Sequence, residues 1–271
     1  MHVSLGNSQW PARGGYLGDA LDAFKVNNPG GRVQNMVANV GENRQKRRLD
    51  NLSVLSKSFQ TGRSVPAANT LHQDMINKAL VMMSSEQLSA FQIKEEPQEV
   101  RDAYGDSQFG RGCLVARRLV ETGVRSIEVT LQGFDSDVNN HNTHVSRMAD
   151  LDPAFASLID DLAERDLLDS TAVMCIGEFG RTPTINPAAG RDHWPTGFSC
   201  VLGGGGLASG VVIGATDPTG EKIRPTDPIE IPDLYATVLH TLGVDPDKEI
   251  ITPIGRPMTF TEGTAIERLI S

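Results

Sequence analysis

FGRGCLVARRLVETGVRSIEVTL, residues 109–131, decides the fold class. Its first half sets Cys113, Leu114, Ala116, Leu119 and Val120 on one stripe, which predicts an amphipathic helix over Phe109 to Thr122 with Gly123 as its C-cap. Its second half, Arg125 to Leu131, alternates Ile127, Val129 and Leu131 at the period of a strand. Toward the C-terminus, Leu151, Ala154, Phe155, Leu158, Ile159 and Leu162 mark a second helix that begins near His144. Ala172 to Ile176 is then a continuous apolar run, the pattern of a strand buried on both faces. Strand, helix, strand in that order is a βαβ unit with parallel neighbours and a right-handed crossover, so the class is α/β. A third strand is expected over Phe198 to Leu202, a turn at Gly203 to Gly206, a short return strand at Val211 to Ile213, and a helix over Pro232 to Leu242.

The chain before Gly105 reads differently. Leu17 to Phe24, Arg47 to Phe59 and Thr70 to Met83 each carry helical spacing, with no strand between them. Residues 1–104 are therefore expected to be a mainly helical insert or cover, and residues 105–271 the α/β core, together one domain.

Composition bounds the function classes. The 271 residues carry a formal net charge of -9, which disfavours a nucleic-acid or anionic-membrane surface. No apolar run approaches the ~18 residues of a membrane span. The start, Met1 to Asn7, has neither a basic nor an apolar leader region, so a cytoplasmic location is expected of the chain as written. Cys113, Cys175 and Cys200 form no CxxC and are expected to be buried free thiols.

The chemistry concentrates beyond two strand ends, where ligands of open α/β sheets bind. Asp135 follows the strand closing at Leu131, and Glu178 follows the strand closing at Ile176. The first loop adds Asp137, His141 and His144; the two histidines are three apart and share a face if a helix starts there, or else belong to a plain polar loop. Past Glu178 come Arg181 and the pair Asp192-His193. His193 suits a metal and Asp192 suits the orientation of its ring, with a surface loop packed by Trp194 as the other reading. Arg181 is placed to hold an anionic oxygen of a phosphate or sulfate, or else to pair with Glu178. Carboxylate and imidazole are donors for zinc, calcium, magnesium or manganese, so a divalent metal ion is the expected cofactor.

Four segments carry a family resemblance: Phe134-Asp135, Gly177-Glu178-Phe179-Gly180-Arg181-Thr182-Pro183, Gly190-Arg191-Asp192-His193-Trp194-Pro195, and Val212-Ile213-Gly214-Ala215-Thr216-Asp217. Together they resemble the DUF1501 family, a bacterial group placed in the alkaline-phosphatase-like superfamily beside sulfatases and phosphomutases. The resemblance runs from about Leu17 to the C-terminus. It implies a three-layer α/β/α sandwich with a mixed, mostly parallel sheet. It also implies a metal site at the strand ends and an anionic small-molecule or carbohydrate ester as substrate. Asp135, Glu178 and His193 resemble the superfamily's ligands, while Phe179 and Asp137 stand where many members have histidine. Such families are usually exported and begin with further strands. This chain is accordingly expected to be a piece of a longer enzyme or a reduced, non-catalytic form, with a partner or a missing segment covering the sheet edge.

Overall fold

The computed structural model describes residues 2–18, 21–31, 33, 38–61, 76, 80, 86–217, 224–252 and 254–270. In chain order its elements are β1 (His2–Leu5), β2 (Phe24–Val26), α1 (Glu42–Gln60), α2 (Gln98–Tyr104), α3 (Gln108–Glu121), β3 (Ser126–Val129) and α4 (Asn140–Glu164). There follow β4 (Val173–Cys175), β5 (Gly180–Arg181), β6 (His193–Trp194), β7 (Val201–Gly203), α5 (Ile231–Thr241), β8 (Glu249–Ile251) and β9 (Pro257–Thr259). The architecture is mixed α/β. One parallel sheet has the order β2-β1-β3, and three antiparallel pairs are β4-β7, β5-β6 and β8-β9.

The parallel sheet owes its two-sidedness to strand alternation. Register sets Val3 beside Phe24 and Ile127, and Leu5 beside Val26 and Val129, which gives one wholly apolar face. That face joins Leu114, Val115 and Leu119 of α3 and Ala154, Leu158 and Leu162 of α4 in the main core. The opposite face is polar: Ser4 lies beside Lys25 and Glu128, and His2 beside Ser126, with 2.7 Å between His2 Nδ1 and Ser126 Oγ.

The decisive stretch folds as its pattern dictates. Ser107 caps α3, its Oγ accepting from Gly110 N at 3.0 Å. At the far end Gly123 N bonds Val120 O and Val124 N bonds Leu119 O, with Gly123 at φ 79. This paired closure needs the left-handed backbone that glycine adopts without a Cβ penalty. Ser107→Ala is expected to lower stability by about 1 kcal/mol, read as a fall of a few degrees in Tm.

Several expectations are corrected. The N-terminal region is not free of strands: β1 and β2 lie within it, and β1 is the centre of the parallel sheet. Val3 and Leu5 are too few to stand out as a periodic run, and Phe24, assigned to a helix by spacing, begins β2. The helix expected over Thr70 to Met83 lies outside the described residues apart from Ile76 and Leu80. The βαβ unit does not close as foreseen. β1 occupies the edge of β3, and β4 pairs antiparallel with β7 instead. Met174 and Ile176 are each 38% exposed, so β4 is not buried on both faces. Val211 to Ile213 is not a strand. Of the three free thiols only Cys113 is buried, while Cys175 is half-buried and Cys200 exposed. No helix among the described residues is long and apolar enough to cross a membrane.

Candidate metal centre

The site lies in the loop that leaves β3. Thr130 N still bonds Leu5 O, so the chain stays tied to the central strand one residue past the end of β3. It then runs through Phe134, Asp135, Ser136 and Asp137 to Asn139, which takes the left-handed conformation at φ 51 and starts α4. Ser136, 1% exposed, fixes the interval between the two aspartates. Its Oγ accepts from Asn140 Nδ2 at 2.6 Å and meets His144 Nε2 at 3.1 Å, and the His144 ring stands edge-on to Phe134. His144 therefore orders the loop from behind. Burial, reinforced by Arg181 and Arg191, pushes its pKa down, so it does this as the neutral imidazole.

The second half is the β5-β6 hairpin, where Arg181 pairs with His193 across the ladder and both project from one face. A single side chain clips hairpin and loop together. Asn186 Nδ2 donates to Asp137 O and to Asp192 Oδ1, each at 2.9 Å, while its Oδ1 accepts from the N–H groups of Ala188 and Gly190. Asn139 N to Ala188 O, Asn140 N to Ala189 O and Arg191 N to Ser136 O complete the seam.

Across that seam Asp135, Asp137 and His193 converge, with one donor atom from each lying within 4.8 Å of the others. His193 Nε2 is 3.0 Å from Asp135 Oδ1 and 3.8 Å from Asp137 Oδ1. Donors at ~2.1 Å from one divalent ion lie about 3.0–3.4 Å apart for right-angled to tetrahedral geometry. The 3.0 Å separation and the mixed carboxylate-imidazole chemistry suit a hard or borderline divalent cation, while the 3.8 Å separation is wider than that range. All three residues are exposed, and Asp135 Oδ1 and Asp137 Oδ1 are the oxygens that Arg181 holds.

Arg181 is the organising cation. Nη1 donates to Asp137 Oδ1 at 2.5 Å and Arg191 O at 2.9 Å; Nη2 donates to Asp135 Oδ1 at 2.5 Å and Phe134 O at 3.1 Å. Its four terminal hydrogens thus all meet protein acceptors. Two carboxylates side by side repel, and the guanidinium between them offsets that repulsion. Hydrogen bonding from Arg181, with His193 adding to it, holds the Asp135 carboxyl below the usual carboxylate range. Phe179, standing where a further histidine was looked for, lies against the His193 ring at 4.1 Å between centroids, and Arg181 Cζ is 5.7 Å from its centre.

The other expected ligands fall elsewhere. Glu178 is exposed and outside the three-donor group. His141, on the first turn of α4, is exposed and also outside it. The Asp192 carboxylate bonds Asn186, so it holds the hairpin loop. Asn186 went unrecognised in the sequence, although Asn-Pro followed by Gly190 is a turn signature that would have drawn attention to it.

A family model described as "Protein of unknown function (DUF1501)" matches residues 1–270. No curated protein and no solved structure matches the chain.

Proposed function

The chain belongs to the DUF1501 family, and from that premise we propose that it is a metal-dependent hydrolase of anionic esters, sulfuric or phosphoric. The observation that carries the reading is the convergence of Asp135, Asp137 and His193 from two separate loops within 4.8 Å. These three would hold zinc, calcium, magnesium or manganese. When bound, such an ion supplies a more acidic water and neutralises charge developing on an ester oxygen. The remaining contributions come from the chain itself. Arg181 sets the two carboxylates at a fixed separation and keeps Asp135 ionised. Phe179 fixes the plane of the His193 ring. The alkaline-phosphatase-like relationship and its three-layer sandwich belong to the same proposal.

One observation favours a second reading. Because Arg181 already directs its terminal hydrogens at Asp135, Asp137 and two carbonyls, the cluster is also stable as an ion-pair knot. The protein would then be a binding or assembly module without chemistry.

Metal content of the purified chain separates the two. About one ion per chain is expected in the wild type and in Glu178→Ala, with loss in Asp135→Ala and His193→Ala. Loaded protein is then expected to hydrolyse 4-nitrophenyl sulfate or phosphate. A folded wild type that takes up no divalent metal, or an Asp135→Ala protein that keeps it, would sink the hydrolase reading and leave the ion-pair knot.

A further inference from the structure

The polar face of the parallel sheet carries four side-chain atoms that are closed to solvent and have no hydrogen-bond partner: His2 Nε2, Ser4 Oγ, Glu128 Oε2 and Thr130 Oγ1. Buried polar atoms are nearly always paired, so orphans gathered on one face ask for a reason. Two of the four belong to a single constellation. Register sets His2 directly beside Ser126, with Glu128 one same-face position further along β3. His2 Nδ1 is 2.7 Å from Ser126 Oγ, and His2 Nε2 is 3.6 Å from Glu128 Oε2. Hydroxyl, imidazole and carboxylate therefore stand in line. Ser126 is exposed, while the facing Nε2 and Oε2 atoms are shut off from solvent.

A cross-strand polar pair that served only the sheet would satisfy its own atoms. Here 3.6 Å is beyond hydrogen-bond range, so the resting pair leaves Nε2 and Oε2 unsatisfied. The pair gains when the ring takes up a proton, because an imidazolium then faces a carboxylate where water screens little. An interaction that strengthens on proton transfer is what a general base needs from its acidic neighbour. The carboxylate also favours the tautomer with its proton on Nε2, which leaves Nδ1 to accept from the Ser126 hydroxyl. Which ring nitrogen meets the hydroxyl is immaterial, provided the other meets the acid. Lys25, also on this face, is engaged elsewhere: its Nζ donates to Ser8 O at 2.7 Å. The strands run parallel, so this constellation lies at their amino end and the Asp135-Asp137-His193 centre beyond their carboxyl end.

We propose that Ser126 is a nucleophile toward small carboxylic esters, with His2 as its general base and Glu128 as the residue that positions the ring. Ser126 Oγ attacks the acyl carbon while its proton passes to His2 Nδ1. The bond to the leaving alcohol breaks, and the alcohol takes that proton. Water then attacks the acyl-serine and gives a proton to His2, which returns it to Ser126 Oγ as the acid departs. An oxyanion donor is at hand. Thr130 N bonds Leu5 O, so by alternation the Ser126 and Glu128 amides also face β1. Ile127 N–H, directly after the nucleophile, points instead from the outer edge of β3, where no strand pairs among the described residues. The exposure of Ser126 suits a small ester whose own leaving group is good.

Labelling with diisopropyl fluorophosphate in the presence of EDTA tests this without any metal. The Ser126 Oγ–P bond forms, fluoride leaves and His2 takes the proton. One adduct per chain is expected, mapped to Ser126 by peptide mass spectrometry and formed roughly a hundredfold faster than on any other serine. His2→Ala is expected to slow it about a hundredfold, and added imidazole to restore part of the rate, which a merely structural histidine would not allow. Glu128→Gln, which keeps the shape without the charge, is expected to slow labelling about tenfold, and Glu128→Asp to recover part of that loss. In EDTA, wild type and Asp135→Ala are both expected to hydrolyse 4-nitrophenyl acetate, and Ser126→Ala to fall to the solution background. Failure of the metal centre therefore leaves this result untouched. No adduct on Ser126, or one formed equally fast in His2→Ala or Glu128→Gln, overturns the proposal. Acetate hydrolysis undiminished in Ser126→Ala overturns it too.

Discussion

Arg117→Ala is expected to destabilise the fold by about 3–5 kcal/mol, the usual cost of removing one partner from a buried charge cluster. Arg117 sits in α3 with its side chain 2% exposed, amid three carboxylates. Nη1 donates to Glu121 Oε2 at 3.0 Å, Nη2 lies 2.8 Å from Glu96 Oε2, and Nε lies 3.0 Å from Asp161 Oδ2. The last two are ion contacts without aligned hydrogen-bond angles. Asp161 also accepts from Tyr104 at 2.9 Å; burial, with Asp161 adding to it, raises the Tyr104 pKa and keeps the phenol a donor. Arg118 reaches Glu96 and Glu95 from the next position. Truncating Arg117 leaves Glu96 to Arg118 alone and Asp161 to Tyr104 and the more distant Arg165, with side chains only 10% and 14% exposed. Against a total stability of about 5–15 kcal/mol this is a large share, and a fall of about 10 °C in Tm is the readout. Arg117→Lys keeps the charge without the planar fork and should fall between. A Tm for Arg117→Ala within 2 °C or so of wild type would show that the cluster is not cooperative with the core.

The same cluster gives a pH dependence with a definite sign. Burial pushes the Glu96 carboxyl up, but its interactions with Arg117 and Arg118 outweigh burial and hold it below its usual value of 4.5. A carboxyl depressed in the folded state contributes stability above its unfolded pKa and loses it as pH falls through the folded one. Acid unfolding of the wild type should therefore steepen below about pH 4.5, and Arg117→Ala should weaken that dependence.

What the sequence made legible follows from length. Helices α3 and α4 span 14 and 25 residues, long enough for a 3.6-residue period to repeat and declare itself. β1, β2 and β4 have four, three and three residues, so none carries more than two inward positions. Their identity is fixed by long-range pairing, as Val3 with both Phe24 and Ile127 shows, and pairing leaves no local trace. The site followed a similar logic. Asp135, Asp137 and His193 were recognisable by residue type beyond strand ends, whereas nothing local separated them from Glu178 or His141. The selection is made by the Asn186 clip and the β5-β6 register, which bring one set of exposed side chains together and leave the other apart from it.

Gly190→Ala should abolish that selection at its weakest point. An ideal Cβ on Gly190 would stand 1.8 Å from Asp137 O and 2.1 Å from Asp137 C, with Val138 N at 2.6 Å. All three atoms are backbone, so no rotamer change relieves the overlap. The hairpin loop and the Asp135-Asp137 loop must move apart by an ångström or more, on the order of the difference from a normal ~3.5 Å contact. The bonds holding them together, Arg191 N to Ser136 O and Asn186 Nδ2 to Asp137 O, lie on either side of the contact and cannot both survive. Asp137 would then be carried away from Arg181 and His193, to which it is joined at 2.5 and 3.8 Å. Overpacking of this kind costs about 1–3 kcal/mol, and loss of the support that aligns a ligand costs about 10–100-fold in metal affinity. Gly177→Ala is the matched control, since a Cβ there meets only Phe179 O, at 4.0 Å. Calorimetric titration with zinc and with manganese, beside thermal unfolding, should show Gly177→Ala behaving as wild type and Gly190→Ala losing metal affinity with a smaller fall in Tm. Equal metal affinity in the two variants would mean that the loops open without disturbing the donors, and the centre would then owe its geometry to Arg181 alone. Loss of affinity without loss of the fold would identify the close approach at Gly190 as what brings Asp137 to Asp135 and His193.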